Sequence, residues 1–211
     1  MNYSLLTKGL RFAYSESVQF AFPDISCEKG KHLLIMGPSG CGKTTLLHLL
    51  AGLLKADSGT IQINETDITA MHESLVDKYR GKEIGIIFQK PHFMQALTAI
   101  ENVRLAPYLN HFERNIGEIE ELLKKLNLAD KGDTRVNEMS QGELQRLSIA
   151  RAMINKPSVI LADEPTSSLD DANCEEALQL LQSQAEITGA SLVIVTHDKR
   201  LLSYFNNIIT L

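Results

Sequence analysis

Nine residues, Gly37-Pro38-Ser39-Gly40-Cys41-Gly42-Lys43-Thr44-Thr45, restrict what this chain can fold into more than any other stretch. The apolar run Leu33-Leu34-Ile35-Met36 leads into them, and the helix-like run Leu46 to Leu54 follows. Strand, glycine loop and helix in that order form a cradle for phosphate. Gly37, Gly40 and Gly42 permit the backbone dihedrals that aim successive N–H groups inward, and the unpaired N–H groups opening the helix add a positive dipole there. Lys43 then reaches the β- and γ-phosphates of a nucleotide, and the Thr44 hydroxyl is a ligand for Mg²⁺ bridging them.

A parallel sheet around such a loop needs a sizeable core, and 211 residues with 44% hydrophobic content supply one, as a single domain or a core with a small subdomain. The longest apolar runs fall well short of the roughly 18 residues that span a bilayer. The opening Met1-Asn2-Tyr3-Ser4-Leu5-Leu6 lacks a basic segment followed by a long apolar one, so export is not expected. Cys27, Cys41 and Cys174, with no Cys-x-x-Cys, point to a reducing compartment and away from disulfides or structural zinc. A net charge of −5 suits a nucleic-acid backbone poorly, so no nucleic-acid partner is expected.

The order of segments fills in the architecture. Leu10 to Tyr14 and Val18 to Phe22 flank the polar turn Ser15-Glu16-Ser17 and read as an antiparallel hairpin; the Tyr14 ring either packs there or offers a stacking face to adenine. Ser58 to Asn64 reads as a strand, and Glu73 to Lys82 as a helix. Ile84 to Phe88 is a buried strand that delivers Gln89 to its carboxyl end, where ligands of open α/β sheets collect. Gln89 is there either a Mg²⁺ or water ligand or a surface residue. Leu97 to Leu109 and Ile116 to Leu128 read as helices, the second with Ile116, Ile119, Leu122, Leu123 and Leu126 in a stripe and Asn115 and Glu118 placed for a capping box. Gly142 to Asn155 is a further helix.

Two more strands end in chemistry. Ser158 to Glu164 reads as a buried strand that ends in two acids, Asp163-Glu164, which either merely end the strand and cap a helix or meet a cation at the sheet edge. Asp163 is assigned to the Mg²⁺ shell and Glu164 to polarising water as a general base. Ser191 to Thr196 ends at His197, which at the same edge hydrogen-bonds a γ-phosphate.

Taken together these segments resemble the nucleotide-binding subunit of ATP-binding cassette transporters, over essentially the whole chain. Residues Gly37 to Thr45 resemble the family's Walker A, Val159 to Glu164 its Walker B with catalytic glutamate, and Gln89 its Q-loop residue. Tyr14 is similarly placed to the adenine-stacking aromatic, Ser168-Leu169-Asp170 to the D-loop and His197 to the switch histidine. Met139-Ser140-Gln141-Gly142-Glu143 resembles the signature motif, with Gln141 where the family has glycine. The resemblance implies that Ser140 and Gly142 touch a γ-phosphate held by a partner subunit. The side chain at Gln141 is expected to crowd that approach or restrict the backbone.

The resemblance further implies an α/β fold, a P-loop NTPase core with a mainly parallel sheet, an N-terminal antiparallel β subdomain and a helical subdomain at about residues 92–156, inserted in a single domain 1–211. It implies ATP and Mg²⁺ as ligands, an integral membrane permease as partner, a homodimer on ATP binding, and a place in the cytoplasm on the cytoplasmic face of the membrane. Asp67 to Met71, Gly85 to Gln89 and Leu97 to Val103 are similar to the branch of lipoprotein release, macrolide export and cell-division complexes. The alternatives are a soluble cassette ATPase, against which stands the lack of coiled-coil insertion or second cassette, and a nucleotide-gated module with weak hydrolysis, motivated by Gln141.

Overall fold

The first strands build a small antiparallel sheet, anchored by the buried Leu5, Leu10 and Cys27. β1 (Tyr3–Ser15) pairs with β2 (Val18–Ala21), Phe12 opposite Phe20, and its other end pairs with β3 (Ser26–Glu28). The computed structural model describes residues 2–113, 115–167 and 169–211. β4 (His32–Met36) precedes the glycine loop and α1 (Lys43–Leu50) follows it. β5 (Ser58–Ile63) and β6 (Thr66–Asp67) complete the first sheet in the order β2-β1-β5-β6, with β3 on β1. α1 is shorter than the apolar run suggests. It begins at Lys43 itself and stops at Leu50, because Gly52 takes a left-handed conformation (φ 63°) that turns the chain out of the helix.

The second sheet is fully parallel. α2 (Glu73–Glu83) leads to β7 (Ile84–Ile87); then come α3 (Ala99–Leu109), α4 (Ile116–Lys125), α5 (Gln141–Met153), β8 (Val159–Asp163), α6 (Asp171–Thr188), β9 (Ser191–Thr196) and β10 (Ile208–Thr210). The strand order is β10-β4-β9-β8-β7. β8 and β9 are buried along their whole length, which explains their unbroken apolar runs. Leu33, Ile35, Leu161 and Val193 pack toward α1 and the antiparallel sheet, while Leu34, Ile160, Leu192 and Ile194 pack toward α3 to α6.

Helix ends are set by local chemistry. Thr98 caps α3 and Ser140 caps α5, each in a reciprocal capping box with the glutamate three residues on, so α3 starts two residues later than its apolar pattern and α5 one residue earlier. Asn115 Oδ1 accepts from the Glu118 amide at 2.9 Å, and α4 ends before Asn127, which is left-handed at φ 55°. Ile116, the first member of the predicted stripe, is exposed, whereas Ile119 and Leu123 are buried. Among the described residues no helix is long and apolar enough to cross a membrane.

Register decides what gathers at the carboxyl edge. Met36 pairs with Thr196, and Asp163 pairs with Val195. The residues that follow, Gly37, Glu164 and His197, therefore leave the sheet side by side.

Candidate active site

The glycine loop shows two different uses of glycine. Gly40 and Gly42 have φ of 83° and 98°, which a side chain strongly disfavours, and a Cβ on Gly42 would also sit 2.7 Å from the Phe20 ring. Gly37 has no such dihedral, contrary to the expectation that all three glycines serve backbone freedom. It is needed for space, because a Cβ there would lie 2.5 Å from Cys41 Sγ. Pro38, Ser39 and Gly40 are exposed along the rim and Cys41 is half-buried. Lys43 is only 7% exposed, and its ammonium donates to the carbonyls of Gly37 at 2.8 Å and Pro38 at 2.9 Å. A phosphate oxygen would compete for those same donors.

The two acids at the end of β8 face opposite tasks. Asp163 Oδ2 accepts from the Thr44 hydroxyl at 2.9 Å, while among the described residues its buried Oδ1 has no partner. Burial pushes the Asp163 carboxyl above its ordinary pKa, opposed by the Thr44 hydrogen bond. An orphaned carboxylate oxygen beside a threonine hydroxyl fits a hard cation. Among the described residues no group of three or more His, Cys, Asp or Glu could hold a metal alone. Mg²⁺ held chiefly by substrate phosphates requires only one or two protein oxygens, so the donor set agrees with it.

Glu164 is the next residue and is strained, a non-glycine residue at φ 46°. Its amide still donates to Val195 O at 2.9 Å, extending the ladder by one bond while the side chain turns into the site. Oε2 accepts from Thr196 Oγ1 at 2.6 Å, and Oε1 lies 2.7 Å from His197 Nδ1 and 3.6 Å from Lys43 Nζ. The backbone N–H of His197 also reaches Oε2, at 3.4 Å. Thr196, the last residue of β9, is thus a hydrogen-bond partner that the sequence reading missed.

The remaining predicted residues lie around this cluster. Tyr14 is 58% exposed at the end of β1, edge-on to Phe12 and Phe20, with its hydroxyl 3.3 Å from Thr45 Oγ1 at the start of α1. Gln89 is exposed two residues past β7, whose last pair, Ile87 with Ala162, stands just before Asp163. The segment after it is anchored by Arg151 of α5, which lies over the Phe93 ring at 4.5 Å and donates to His92 O.

Ser140 and Gly142 open α5. Ser140 bonds within its own helix end, its amide and hydroxyl both donating to Glu143 Oε2 at 2.7 and 2.9 Å. Lys131 pairs with Glu143 at 3.0 Å, and the Ser140 amide together with Lys131 holds that carboxyl down to about 2. Gln141 is the first residue of α5 and is not among the residues of positive φ, so the expected backbone restriction does not arise. Of the stretch compared with a D-loop, Ser168 lies outside the described residues. Leu169 and Asp170 line a cavity of about 310 Å³ with Gln141 and Gly142.

With the loop, the acids and the histidine on one edge, known proteins agree in sequence and in shape. The family described as ABC transporter matches residues 23–167. The lipoprotein-releasing system ATP-binding protein LolD of Porphyromonas gingivalis is 41% identical over 180 residues, 84% of this chain and 82% of that protein. A dimeric ATP-binding cassette in a post-hydrolysis state, bound to ADP and Pi, superposes with a TM-score of 0.86 at 31% identity, covering 98% of this chain and 94% of that one. A Clostridium perfringens component of the ABC transporter complex cbiONQ, cbiO1, superposes at 0.88 with 26% identity, covering 100% and 85%. A glycine loop and a paired-acid strand end on one parallel sheet, together with these matches, make the chain a member of the ABC transporter family, as one of its ATP-binding subunits.

Proposed function

We propose that this subunit hydrolyses ATP between two head-to-tail copies of itself and passes the resulting opening and closing to a separate integral membrane permease. The observation that carries the reading is Glu164, buried at the end of β8 within reach of Lys43, Thr196 and His197. The loop from Gly37 to Thr45 wraps the phosphates, and Lys43 exchanges its loop carbonyls for β- and γ-phosphate oxygens. Tyr14 stacks on adenine. Thr44, Asp163 and Gln89 would hold Mg²⁺, which would supply charge neutralisation to the bound triphosphate. Glu164 accepts a proton from the attacking water, and His197 orients Glu164 and the γ-phosphate. Ser140 and Gly142 of one copy meet the γ-phosphate bound by the other, so neither copy holds a complete site.

The helical segment at about residues 92–156 is proposed as an insertion within one domain spanning 1–211. The subunit works in the cytoplasm on the cytoplasmic face of the membrane, in the lipoprotein-release, macrolide-export and cell-division branch. Support for that branch comes from the LolD relative. The experiment is ATPase activity measured with and without the membrane protein that co-purifies with the chain. Stimulation by that protein is expected, and ATPase unaffected by Glu164→Gln would remove the mechanism.

A further inference from the structure

Arg200 has no part in the reading above, yet its guanidinium donates to two distant backbone carbonyls and to the carboxylates of Asp171 and Asp198. It lies in a 3₁₀ turn (Lys199–Tyr204) capped by Asp198, whose carboxylate accepts from the Arg200 amide at 3.0 Å. From there the guanidinium divides its donors. Nε reaches Asp198 Oδ1 and Oδ2 at 2.9 and 3.1 Å, and Nη2 reaches Oδ2 at 2.7 Å. Turned the other way, Nη2 donates to Thr166 O at 3.3 Å, and Nη1 donates to Leu169 O at 3.1 Å and Asp171 Oδ1 at 2.8 Å. Thr166, fully buried, adds its own hydroxyl to Asp198 Oδ2 at 2.9 Å.

These bonds join two segments that each begin at the catalytic cluster. The chain after Glu164 runs through Thr166 and Leu169 into α6, and the chain after His197 runs through Asp198 to Arg200. At the top, Glu164 is bonded to Thr196 and His197, and the Asp198 amide donates to Thr196 Oγ1 at 3.0 Å. At the bottom, Arg200 closes the ring. Leu169 and Asp170, next to this ring, line the cavity of about 310 Å³ together with Gln141 and Gly142 of α5. In the proposed dimer the start of α5 meets the partner's ATP, so the wall that Arg200 fixes lies between one copy's hydrolytic cluster and the other copy's nucleotide.

We propose that Arg200 is a positioning residue that locks Thr166, Leu169 and Asp171 to the turn after His197, so that the Glu164–His197 pair and the Leu169–Asp170 wall of the cavity move as one body when two copies close on ATP. The inference rests on the head-to-tail reading. Only a planar fork with five donors can serve acceptors on both sides at once; a lysine ammonium can keep the charge pair with Asp198 but cannot also span to the carbonyls. Coupling of this kind is carried by a contiguous bonded network biased between two arrangements.

The test uses the full chain with Arg200→Gln and Arg200→Lys, each alone and in a Glu164→Gln background that holds ATP without turnover. Four quantities are read: nucleotide affinity of the single subunit, ATP-driven dimerisation by sedimentation, and the turnover and Hill coefficient of ATPase in the chain that retains Glu164. Expected for both variants are unchanged nucleotide affinity, dimerisation and turnover lowered by about tenfold, which corresponds to about 1.4 kcal/mol of lost coupling, and a Hill coefficient moved toward one. Full recovery by Arg200→Lys would reduce the residue to a charge partner and overturn the clamp, as would unchanged dimerisation in Arg200→Gln. If Arg200→Gln fails to fold, Arg200→Lys decides alone. A parent chain that does not dimerise with ATP refutes the head-to-tail reading instead.

Discussion

The ammonium of Lys43 and the carboxylate of Glu164 stand 3.6 Å apart, both more than nine-tenths buried, yet neither depends on the other. Lys43 is satisfied by two loop carbonyls, and Glu164 by Thr196 and His197. Removing one partner of a buried ion pair is costly when the other is left unpaired, and here neither is. Both single variants are therefore expected to fold. Lys43→Ala should abolish ATP binding, whereas Glu164→Gln should bind ATP normally and lose turnover by roughly 10²-fold or more. Fluorescent-nucleotide binding and phosphate release separate the two; equal loss of binding in both would dissolve the division of roles.

Gly42 combines a left-handed backbone with a ring wall. Gly42→Ala places a methyl 2.7 Å from the Phe20 ring at φ 98°. The strain is of order 1–3 kcal/mol, and Phe20 must move as well. Because Phe20 packs edge-on to Tyr14, the shift should reach the proposed adenine face. ATP affinity is expected to fall more than affinity for inorganic triphosphate, which has no adenine. Parallel losses for the two ligands would confine the damage to the phosphate loop.

Cys41 Sγ occupies the space that a side chain at Gly37 would need, so this half-buried thiol lies against the first residue of the loop. Alkylation by a maleimide adds bulk inside the phosphate loop, and ATP binding should be lost in step with modification. Saturating ATP should slow the modification. Mass spectrometry of the loop peptide with and without ATP gives the answer, and equal rates would put Cys41 outside the nucleotide's shadow.

Asp198 carries the pH dependence of the clamp. The Arg200 guanidinium, with the Arg200 amide and the Thr166 hydroxyl, holds the Asp198 carboxyl down to about 2 against the cost of its burial. An unfolded aspartate ionises near 3.9. A depressed folded pKa means that the unfolded chain takes up protons first. The stabilisation is therefore complete above about pH 4 and is lost as pH falls toward 2. Urea midpoints of the parent should drop through that window more steeply than those of Asp198→Asn, which has no proton to gain there. Parallel slopes would show that the pair adds nothing to acid stability.

What was legible in the chain was whatever is encoded within about ten consecutive residues. The glycine loop, the apolar runs of β8 and β9 and the acids Asp163 and Glu164 at a strand end announce themselves by spacing. Ser140 with Glu143 also carries a local capping signature, one that a reading centred on phosphate passed over. Thr196 and the far side of Arg200 had no such signal, because Glu164 and the Thr166 carbonyl lie 32 and 34 residues away and only the parallel register makes them neighbours. The role of Gly37 was misread for a similar reason: local sequence gives its freedom but not the Cys41 sulfur beside it.

Gln141 tests how far a motif departure matters once its backbone is known. The position where glycine is usual is here the first residue of α5, with no positive φ, so a glycine's freedom is not required. Substituting one gives up helix propensity. Gln141→Gly should lower stability by less than about 1 kcal/mol, since the first turn is penalised less than a helix interior. It lines the same cavity as Leu169 and Asp170, so its effect on turnover is expected to act through the bulk of its side chain. Gln141→Ala retains the helix while removing the same bulk, and the two variants should therefore change ATPase by the same factor. A gain in Gln141→Gly alone would show that the closed dimer demands a backbone excursion at this residue which the single chain does not display.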